Sequence, residues 1–227
     1  MNTLELLAKR QSLRVYDDRP VPKDVRRTVL EAAISAPTAG ALMLYAMIEI
    51  DDQNLKDELA VTCDNQPFIA KAPWVVVFAA DYHRLWNDWE KQGLTSVRKP
   101  GAGDLFLACA DAIIAAQTAV VAAGAMGLGS CYIGDIIENA ERHIELLKLP
   151  EYVFPAAMLC FGYPPEGFSR AMTPRLPLET VLHKDTYSFK DQGDAGASQS
   201  QKGYKKFNAE FSQEMTRSAE VWLKRWK

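Results

Sequence analysis

The sequence predicts one domain in which α-helices and β-strands pack around a central sheet, and two apolar segments indicate this first. Residues 74–80 (WVVVFAA) are apolar at every position, as in a central strand that is covered on both faces. Residues 105–126 form the longest apolar run, and Asp111 and Gln117 interrupt it, which indicates a buried helix rather than a membrane span. A chain of 227 residues, 48% hydrophobic and 24% charged, can bury one core of this kind.

The other predicted elements follow from apolar spacing and from the prolines and glycines between segments. Helices are predicted at residues 3–9, 23–35, 55–61, 104–126 and 138–148, and further strands at residues 42–50 and 156–162. Asp104 is expected to be the N-cap of the longest helix, and Gly127 is expected to end it. Residues 84–103 mix aromatic and charged residues with glycine and proline, so we predict an irregular, mobile connection there.

The chain divides into a domain at residues 1–190 and a tail at residues 191–227. The tail begins with a Gly/Ser/Gln-rich linker at residues 191–203 and continues as a predicted helix with an aromatic stripe. The stripe consists of Phe207, Phe211, Met215, Trp222 and Trp226. It needs cover, either from the chain's own core or from a partner subunit, and we expect the partner because the linker before it is flexible.

Charge and residue counts exclude several classes of protein. The net charge of -3 argues against a nucleic-acid partner, which would require a basic surface. Only three histidines occur, and no CxxC pair exists among Cys63, Cys109, Cys131 and Cys160, so we expect no metal site. Isolated cysteines in apolar surroundings favour a reducing, cytoplasmic location. The N-terminal segment lacks the apolar core of a signal peptide, and we expect no membrane partner.

A basic motif, Arg10-Gln11-Ser12-Leu13-Arg14, follows the first predicted helix. In an extended segment, residues two apart point to the same side, so Arg10, Ser12 and Arg14 are expected to face together. Two guanidinium groups and a hydroxyl suit a phosphate and a polyol. Taken alone, the motif is also typical of a solvated arginine face.

Two loops rich in small residues would let a flat ring approach the backbone closely. Residues 36–41 (APTAGA) follow the helix at 23–35, and residues 127–135 (GLGSCYIGD) follow the long helix. The second loop offers backbone N–H groups to an electron-rich ring atom, although no GxGxxG dinucleotide fingerprint is present. Each loop is also compatible with an ordinary connection, and the second with a helix C-cap.

A fourth motif follows the last predicted strand, where residues 162–165 (GYPP) precede Arg170 and residues 174–179 (PRLPLE). Arg175 lies between prolines, which favours a fixed position over a mobile surface arginine. The four motifs in this order resemble the nitroreductase-like family of FMN-dependent oxidoreductases, and the resemblance covers residues 3–183.

The resemblance implies an α+β fold with a mixed, largely antiparallel sheet flanked by helices, in an intertwined homodimer. Flavin mononucleotide (FMN) would lie at the dimer interface in contact with both chains. Residues 1–190 would form the FMN-binding domain, with residues 191–227 as the linker and the helix on the partner subunit. By the same resemblance, the phosphate and ribityl chain would be held by Arg10, Ser12, Arg14 and Arg175.

The resemblance also assigns residues to the flavin ring. They are Pro37, Thr38, Ala39 and Gly40 from the partner subunit, Asn65 at the pyrimidine end, and the backbone of Ile133, Gly134 and Asp135 beside the reactive ring nitrogen. The family commonly has Asn and Gln where this chain has Ala41 and Met43, so two polar ring contacts are lost or supplied elsewhere. Thr173 replaces a basic residue, which leaves Arg170 to share the phosphate. The aromatic residues that follow residue 81 either cover the ring as a lid or pack on the core: Tyr82, Trp86 and Trp89.

The implied activity is the reduction of nitroaromatics, quinones or similar small-molecule acceptors by NADH or NADPH. One site would serve both partners in turn, which gives ping-pong kinetics. No side chain is assigned as a catalytic acid or base, because N–H groups and arginines would stabilise the reduced flavin. Two alternatives stay open: the same fold with other flavin chemistry, such as dehalogenation or flavin degradation, and a non-catalytic flavin-binding protein.

Overall fold

The computed structural model describes residues 2–94, 98–169, 172, 175–189, 216–220 and 223–224. Its centre is a four-stranded sheet in the order β1-β2-β4-β3, with every neighbouring pair antiparallel. The strands are β1 (Tyr45–Ile50), β2 (Trp74–Asp81), β3 (Gly129–Ile133) and β4 (Val153–Gly162). A single parallel bridge between Ser12 and Ser130 joins the N-terminal segment to this sheet. The α+β class and the largely antiparallel sheet are thereby confirmed.

Eight helices are labelled in the described part of the chain. They are α1 (Thr3–Lys9), α2 (Lys23–Ile34), α3 (Gln53–Thr62), α4 (Pro67–Ala70), α5 (His83–Lys91), α6 (Ala102–Ala125), α7 (Ala140–Leu146) and α8 (Leu178–Val181). Short 3-10 turns occur at Ala39–Ala41 and Asp135–Ile137. Five of these helices confirm the predictions at 3–9, 23–35, 55–61, 104–126 and 138–148, with ends that differ by a few residues.

Strand β2 lies in the middle of the fold because its side chains are apolar on both faces. Alternate residues such as Val76 pack in the cluster that contains the buried face of α6, whereas Val75 and Val77 pack in a second cluster with residues of α3. All three valines are fully buried. The prediction of a strand covered on both sides is therefore confirmed, since helices supply apolar side chains to each face.

Helix α6 is the longest helix in the described residues, and its N-terminus differs from the prediction. Asp104 is the third helical residue rather than the N-cap, and its carboxylate accepts a 2.8 Å hydrogen bond from the backbone N–H of Gly101 in a capping box. Of the described helices, α6 alone has the length and apolar composition to cross a membrane. Its buried positions recur every three or four residues and face the sheet, as in the core helix of a globular domain.

Two elements were missed by the sequence analysis. Residues 84–103 were predicted to be irregular, but α5 occupies His83–Lys91. Its residue Trp86 and the preceding Tyr82 are buried in the core. Trp86 makes an edge contact with Tyr152 at 6.2 Å between ring centroids, so these aromatic residues pack on the core. The Gly-rich segment after α6 was predicted to be a loop, but its middle is the edge strand β3.

The tail is described at residues 216–220 and 223–224 only. Ser218 is buried, and its hydroxyl donates to the carbonyl of Glu138 in the same chain. The linker at residues 191–203 and the predicted aromatic stripe lie outside the described residues. Packing of the stripe on a partner subunit, and the division at residue 190, therefore stay predictions.

Candidate functional site

The basic motif at residues 10–14 lies along the start of β3. The backbone N–H of Leu13 donates to the carbonyl of Ser130 at 2.9 Å, and the buried Leu13 side chain packs over Gly129. A Cβ at position 129 would lie 2.8 Å from the Leu13 Cβ, which real side chains do not tolerate. Gly129 is thus required for this packing. The sequence alone did not reveal this, because Leu13 lies far from Gly129 in the chain.

Ser12 and Arg14 lie beside the thiol of Cys131 in β3, and the charge of Arg10 also acts on this thiol. Burial raises the pKa of this thiol, and Arg14, Ser12 and Arg10 oppose the rise. Among the ion pairs of the described residues, neither Arg10 nor Arg14 has a carboxylate partner. The Arg14 guanidinium lies 5.8 Å from the ring centroid of Phe68. Phosphate binding by these side chains stays a prediction.

The end of β3 presents open backbone. Ile133 is buried, but Gly134 is exposed, and a Cβ added there would meet no atom within 4 Å. Asp135 follows, half-buried, and its carboxylate accepts a 2.8 Å hydrogen bond from the Gln66 amide. The backbone at residues 133–135 can therefore be approached by a flat ligand.

Gln66 links two predicted parts of the site. Its amide also donates to the carbonyl of Cys63 at 2.8 Å, so the turn at residues 63–66 is tied to the loop at 133–135. Asn65 lies in that turn, exposed and with a left-handed φ of 48°. The structure thus brings Asn65 and the end of β3 to one region through a residue that the sequence analysis did not select.

A buried histidine, His143, contacts the residues next to the 63–66 turn and the 133–135 loop. His143 Nδ1 donates to the carbonyl of Ile136 at 2.7 Å, and Nε2 lies 2.9 Å from the hydroxyl of Thr62. Burial lowers the pKa of His143, so its neutral form is favoured in the fold. The residue joins α3, α7 and the 3-10 turn at Asp135–Ile137, which is a structural role.

The predicted ring-lining residues Pro37, Thr38, Ala39 and Gly40 lie elsewhere in the chain. Their loop is bound to Asp111 of α6, whereas Arg10 lines a cavity of about 520 Å³ with Gly124 and Leu128, at the C-terminal end of the same helix. Asp111 and Gly124 are separated by roughly 20 Å along the helix axis at 1.5 Å per residue. Within one chain, the loop therefore lies near the middle of α6, whereas the basic motif lies near its C-terminal end.

Arg175 is exposed, shortly before α8. Arg170, Thr173 and Pro174 lie outside the described residues. A role for Arg175 in phosphate binding stays a prediction, as does the sharing of the phosphate with Arg170.

Comparison with known proteins shows the family of the chain. The model of the nitroreductase family matches residues 7–163. An oxygen-insensitive NADPH nitroreductase of Salmonella typhimurium is 35% identical over 190 residues, which cover 84% of this chain and 76% of that protein. An FMN reductase (NAD(P)H) of Bacillus subtilis is 34% identical over 194 residues, which cover 83% and 76%.

A solved structure shows the same fold. The NADPH:FMN oxidoreductase from Vibrio harveyi complexed with NAD+ superposes with a TM-score of 0.79 at 28% identity, over 90% of this chain and 86% of that chain. The match of the family model spans most of the domain, including the basic motif, the 37–44 loop and β3. The chain belongs to the nitroreductase family.

Proposed function

We propose that the protein is an FMN-dependent oxidoreductase that uses NADH or NADPH to reduce small-molecule acceptors such as nitroaromatics or quinones. The observation that carries this proposal is the parallel bridge that sets Ser12, with Arg10 and Arg14 on either side of it in sequence, along β3, whose end has open backbone at Gly134. The relatives named as an NADPH nitroreductase and an FMN reductase support the same chemistry.

The chemistry of this group of side chains fits FMN. Two guanidinium groups without a carboxylate partner suit a phosphate dianion, and the hydroxyl of Ser12 between them suits the ribityl chain. Exposed backbone at Gly134 leaves room for the ring, with Asn65 near its pyrimidine end. Arg175 is proposed to complete the phosphate site. When bound, FMN supplies the electron transfer that no side chain can perform.

The protein's own part is to bind and to stabilise charge. Backbone N–H groups at residues 133–135 and the nearby arginines favour the negative charge of a reduced flavin, and they are held by β3 before any reaction begins. No side chain is assigned as a general acid or base. The nicotinamide and the acceptor would bind in turn at the same site, over the flavin ring, so we expect ping-pong kinetics.

A homodimer completes the site in this proposal. The exposed face of α6 is apolar, with Phe106 71% exposed and Ile113 and Ile114 more than 40% exposed. A twofold axis that pairs two copies of this face would bring the 37–44 loop of one chain toward the basic motif of the other. In that arrangement, the 37–44 loop and the basic motif would meet between two chains, although they are separated within one chain. The four cysteines are free, and three of them are buried, which is in keeping with a cytoplasmic location.

The experiment is an anaerobic titration of the purified protein. We expect a yellow protein that releases FMN on denaturation, loses its visible absorbance on addition of NADPH or NADH, and regains it with a quinone. A protein that contains FMN but is not bleached by either nicotinamide would favour the non-catalytic alternative. A colourless protein that cannot be reconstituted with FMN would refute the proposal.

A further inference from the structure

Asp111 is a buried carboxylate that holds the 37–44 loop. It lies on α6 with 3% of its surface exposed. Its oxygens accept hydrogen bonds from the backbone N–H of Ala39 at 3.1 Å, from the backbone N–H of Leu44 at 3.2 Å, and from the hydroxyl of Thr38. Three donors from both ends of one loop thus meet at a single side chain from a distant helix.

These hydrogen bonds compensate for the burial of the Asp111 carboxylate. Among the ion pairs of the described residues, none involves Asp111, so its compensation comes from N–H and O–H groups. Burial and the neighbouring Asp111 raise the pKa of Tyr45, the first residue after the loop. A carboxylate in this position makes the loop and α6 depend on each other, because loss of either partner leaves a buried group unsatisfied.

The backbone of the loop includes unfavourable angles. Gly40, Ala41 and Met43 all have left-handed φ angles, of 55°, 58° and 52°. Such angles are costly for residues with a Cβ, and Ala41 and Met43 carry no polar side chain that would offset the cost locally. Inside the loop, the backbone N–H of Met43 donates to the Thr38 hydroxyl at 2.9 Å, and this hydroxyl donates in turn to Asp111. Asp111 supports the loop on one side and Arg84 on the other. Arg84 Nη2 donates to the carbonyls of Leu42 at 3.1 Å and Met43 at 2.5 Å.

We infer that Asp111 is a positioning residue for the flavin ring, and that it acts through Thr38 and Ala39. The inference rests on the proposed function, in which the 37–44 loop lines the ring bound to the partner subunit. Asp111 fixes the two residues that would touch the ring. Its loss should weaken FMN binding and change the environment of the ring.

The test compares Asp111→Asn with Asp104→Asn in the full-length holoenzyme. The Asp111→Asn substitution would keep the volume of the side chain but would point an NH₂ group at one of the donors. We expect the Kd of FMN to rise by about tenfold or more, because at least one charged hydrogen bond is lost. The visible circular dichroism of the bound flavin and its midpoint potential should also change. Asp104 is likewise a buried carboxylate of α6, but it binds Arg98 and Gly101, so Asp104→Asn should affect stability and leave all three flavin readouts unchanged.

A second pair of variants keeps the test decisive if Asp111→Asn folds poorly. Thr38→Val removes the hydroxyl that donates to Asp111 and accepts from the Met43 N–H, with little change of shape, and Thr38→Ser retains both hydrogen bonds. We expect Thr38→Val to alter the flavin spectrum and Thr38→Ser to restore it. In a double-mutant cycle, Asp111→Asn and Thr38→Val should be non-additive, since both remove the same contact.

Two outcomes would overturn the inference. One is wild-type FMN affinity, circular dichroism and potential in Asp111→Asn or in Thr38→Val; the other is equal changes in Asp104→Asn. If the wild-type protein binds no FMN, the proposed function fails and the inference fails with it. If the wild type binds FMN but the loop variants behave as wild type, the inference alone fails.

Discussion

Ala41 shows how one residue departs from local preference. Its φ of 58° is costly by about 1–2 kcal/mol for any residue with a Cβ. Glycine adopts this angle freely, although it adds freedom to the unfolded chain. We expect Ala41→Gly to raise the free energy of unfolding by roughly 0.5–1 kcal/mol. Urea denaturation measures the change.

A matched control separates the backbone effect from the loss of a methyl group. Ala122 lies in the interior of α6 with an ordinary helical backbone. There the same change should lower the free energy of unfolding by about 1 kcal/mol, because glycine is unfavourable in a helix. Equal destabilisation by both substitutions would mean that the angle at position 41 is not strained.

His143 predicts a dependence of stability on pH. Burial lowers its pKa in the folded protein, whereas the unfolded chain keeps a value near 6.5. Between these two values the unfolded state binds more protons, so the stability from neutral His143 is complete above about pH 6.5 and is lost as the pH falls toward the folded pKa. The free energy of unfolding should therefore decrease from pH 7 to pH 5.

The control is the comparison of two histidine variants across the same pH range. His143→Asn should lose most of this slope, at a lower overall stability, because the titrating ring is removed. His83→Gln should retain it, since His83 lies in α5 away from the buried network. A slope that survives in His143→Asn would assign the effect to other groups.

At the level of elements, the junction between the basic motif and β3 depends on Gly129. A methyl group there would collide with Leu13 and push the 10–14 segment outward. We expect Gly129→Ala to destabilise the protein by about 1–3 kcal/mol, the usual cost of overpacking. FMN binding should weaken as well, because Arg10 and Arg14 are carried by the displaced segment.

Gly103 provides the comparison for this prediction. It lies near the start of α6, and a Cβ there would meet nothing within 4 Å. Gly103→Ala should be neutral or stabilising, since alanine favours the helix. Thermal unfolding and FMN titration of both variants test the two predictions. A Gly129→Ala variant with wild-type stability and FMN affinity would contradict the packing argument.

The sequence predicted elements with strong local signals. Residues 74–80 could be assigned because continuous β-branched residues suit only a covered strand, and α6 because a long apolar run needs burial. Helix α5 was missed, since its many charged and aromatic residues hid an amphipathic pattern. Strand β3 was missed because it begins with Gly129, and glycine is more typical of a loop. A glycine is required there because Leu13, which is distant in the chain, packs against it.

For the site, the basic motif could be predicted because alternation in an extended segment is local. The role of Asp111 could not be predicted, because its hydrogen-bond donors come from a loop about 70 residues earlier and no neighbouring residue indicates them. In the sequence it appeared only as an interruption of an apolar run. Gln66 was passed over for its neighbour Asn65 for the same reason: its partner, Asp135, is distant in the chain.

At the level of the whole molecule, the apolar outer face of α6 predicts self-association. Ile113 lies in the middle of this face and is 47% exposed in a single chain. A charge at an interface core is strongly unfavourable, so Ile113→Asp should give a monomer that retains its helical circular dichroism but binds FMN weakly. Analytical ultracentrifugation and FMN titration measure both effects.

Val61 on α3 is a control of similar exposure, at 62%. Val61→Asp should leave the dimer and its FMN intact, because α3 lies on the other side of the sheet from α6. A wild-type protein that sediments as a monomer with tightly bound FMN would exclude the proposed contribution of the 37–44 loop from a partner.

The central claim is that FMN is held by the arginines at the start of β3. The direct measurement is the Kd of FMN, from the quenching of its fluorescence, for the wild type, Arg14→Ala, Arg175→Ala and the double variant. A charged hydrogen bond to phosphate contributes about 1.5–3 kcal/mol, so each single loss should weaken binding by roughly tenfold or more. Arg142→Ala, on α7 and paired with Glu58, should have no effect. Unchanged FMN affinity in the double variant would contradict the account.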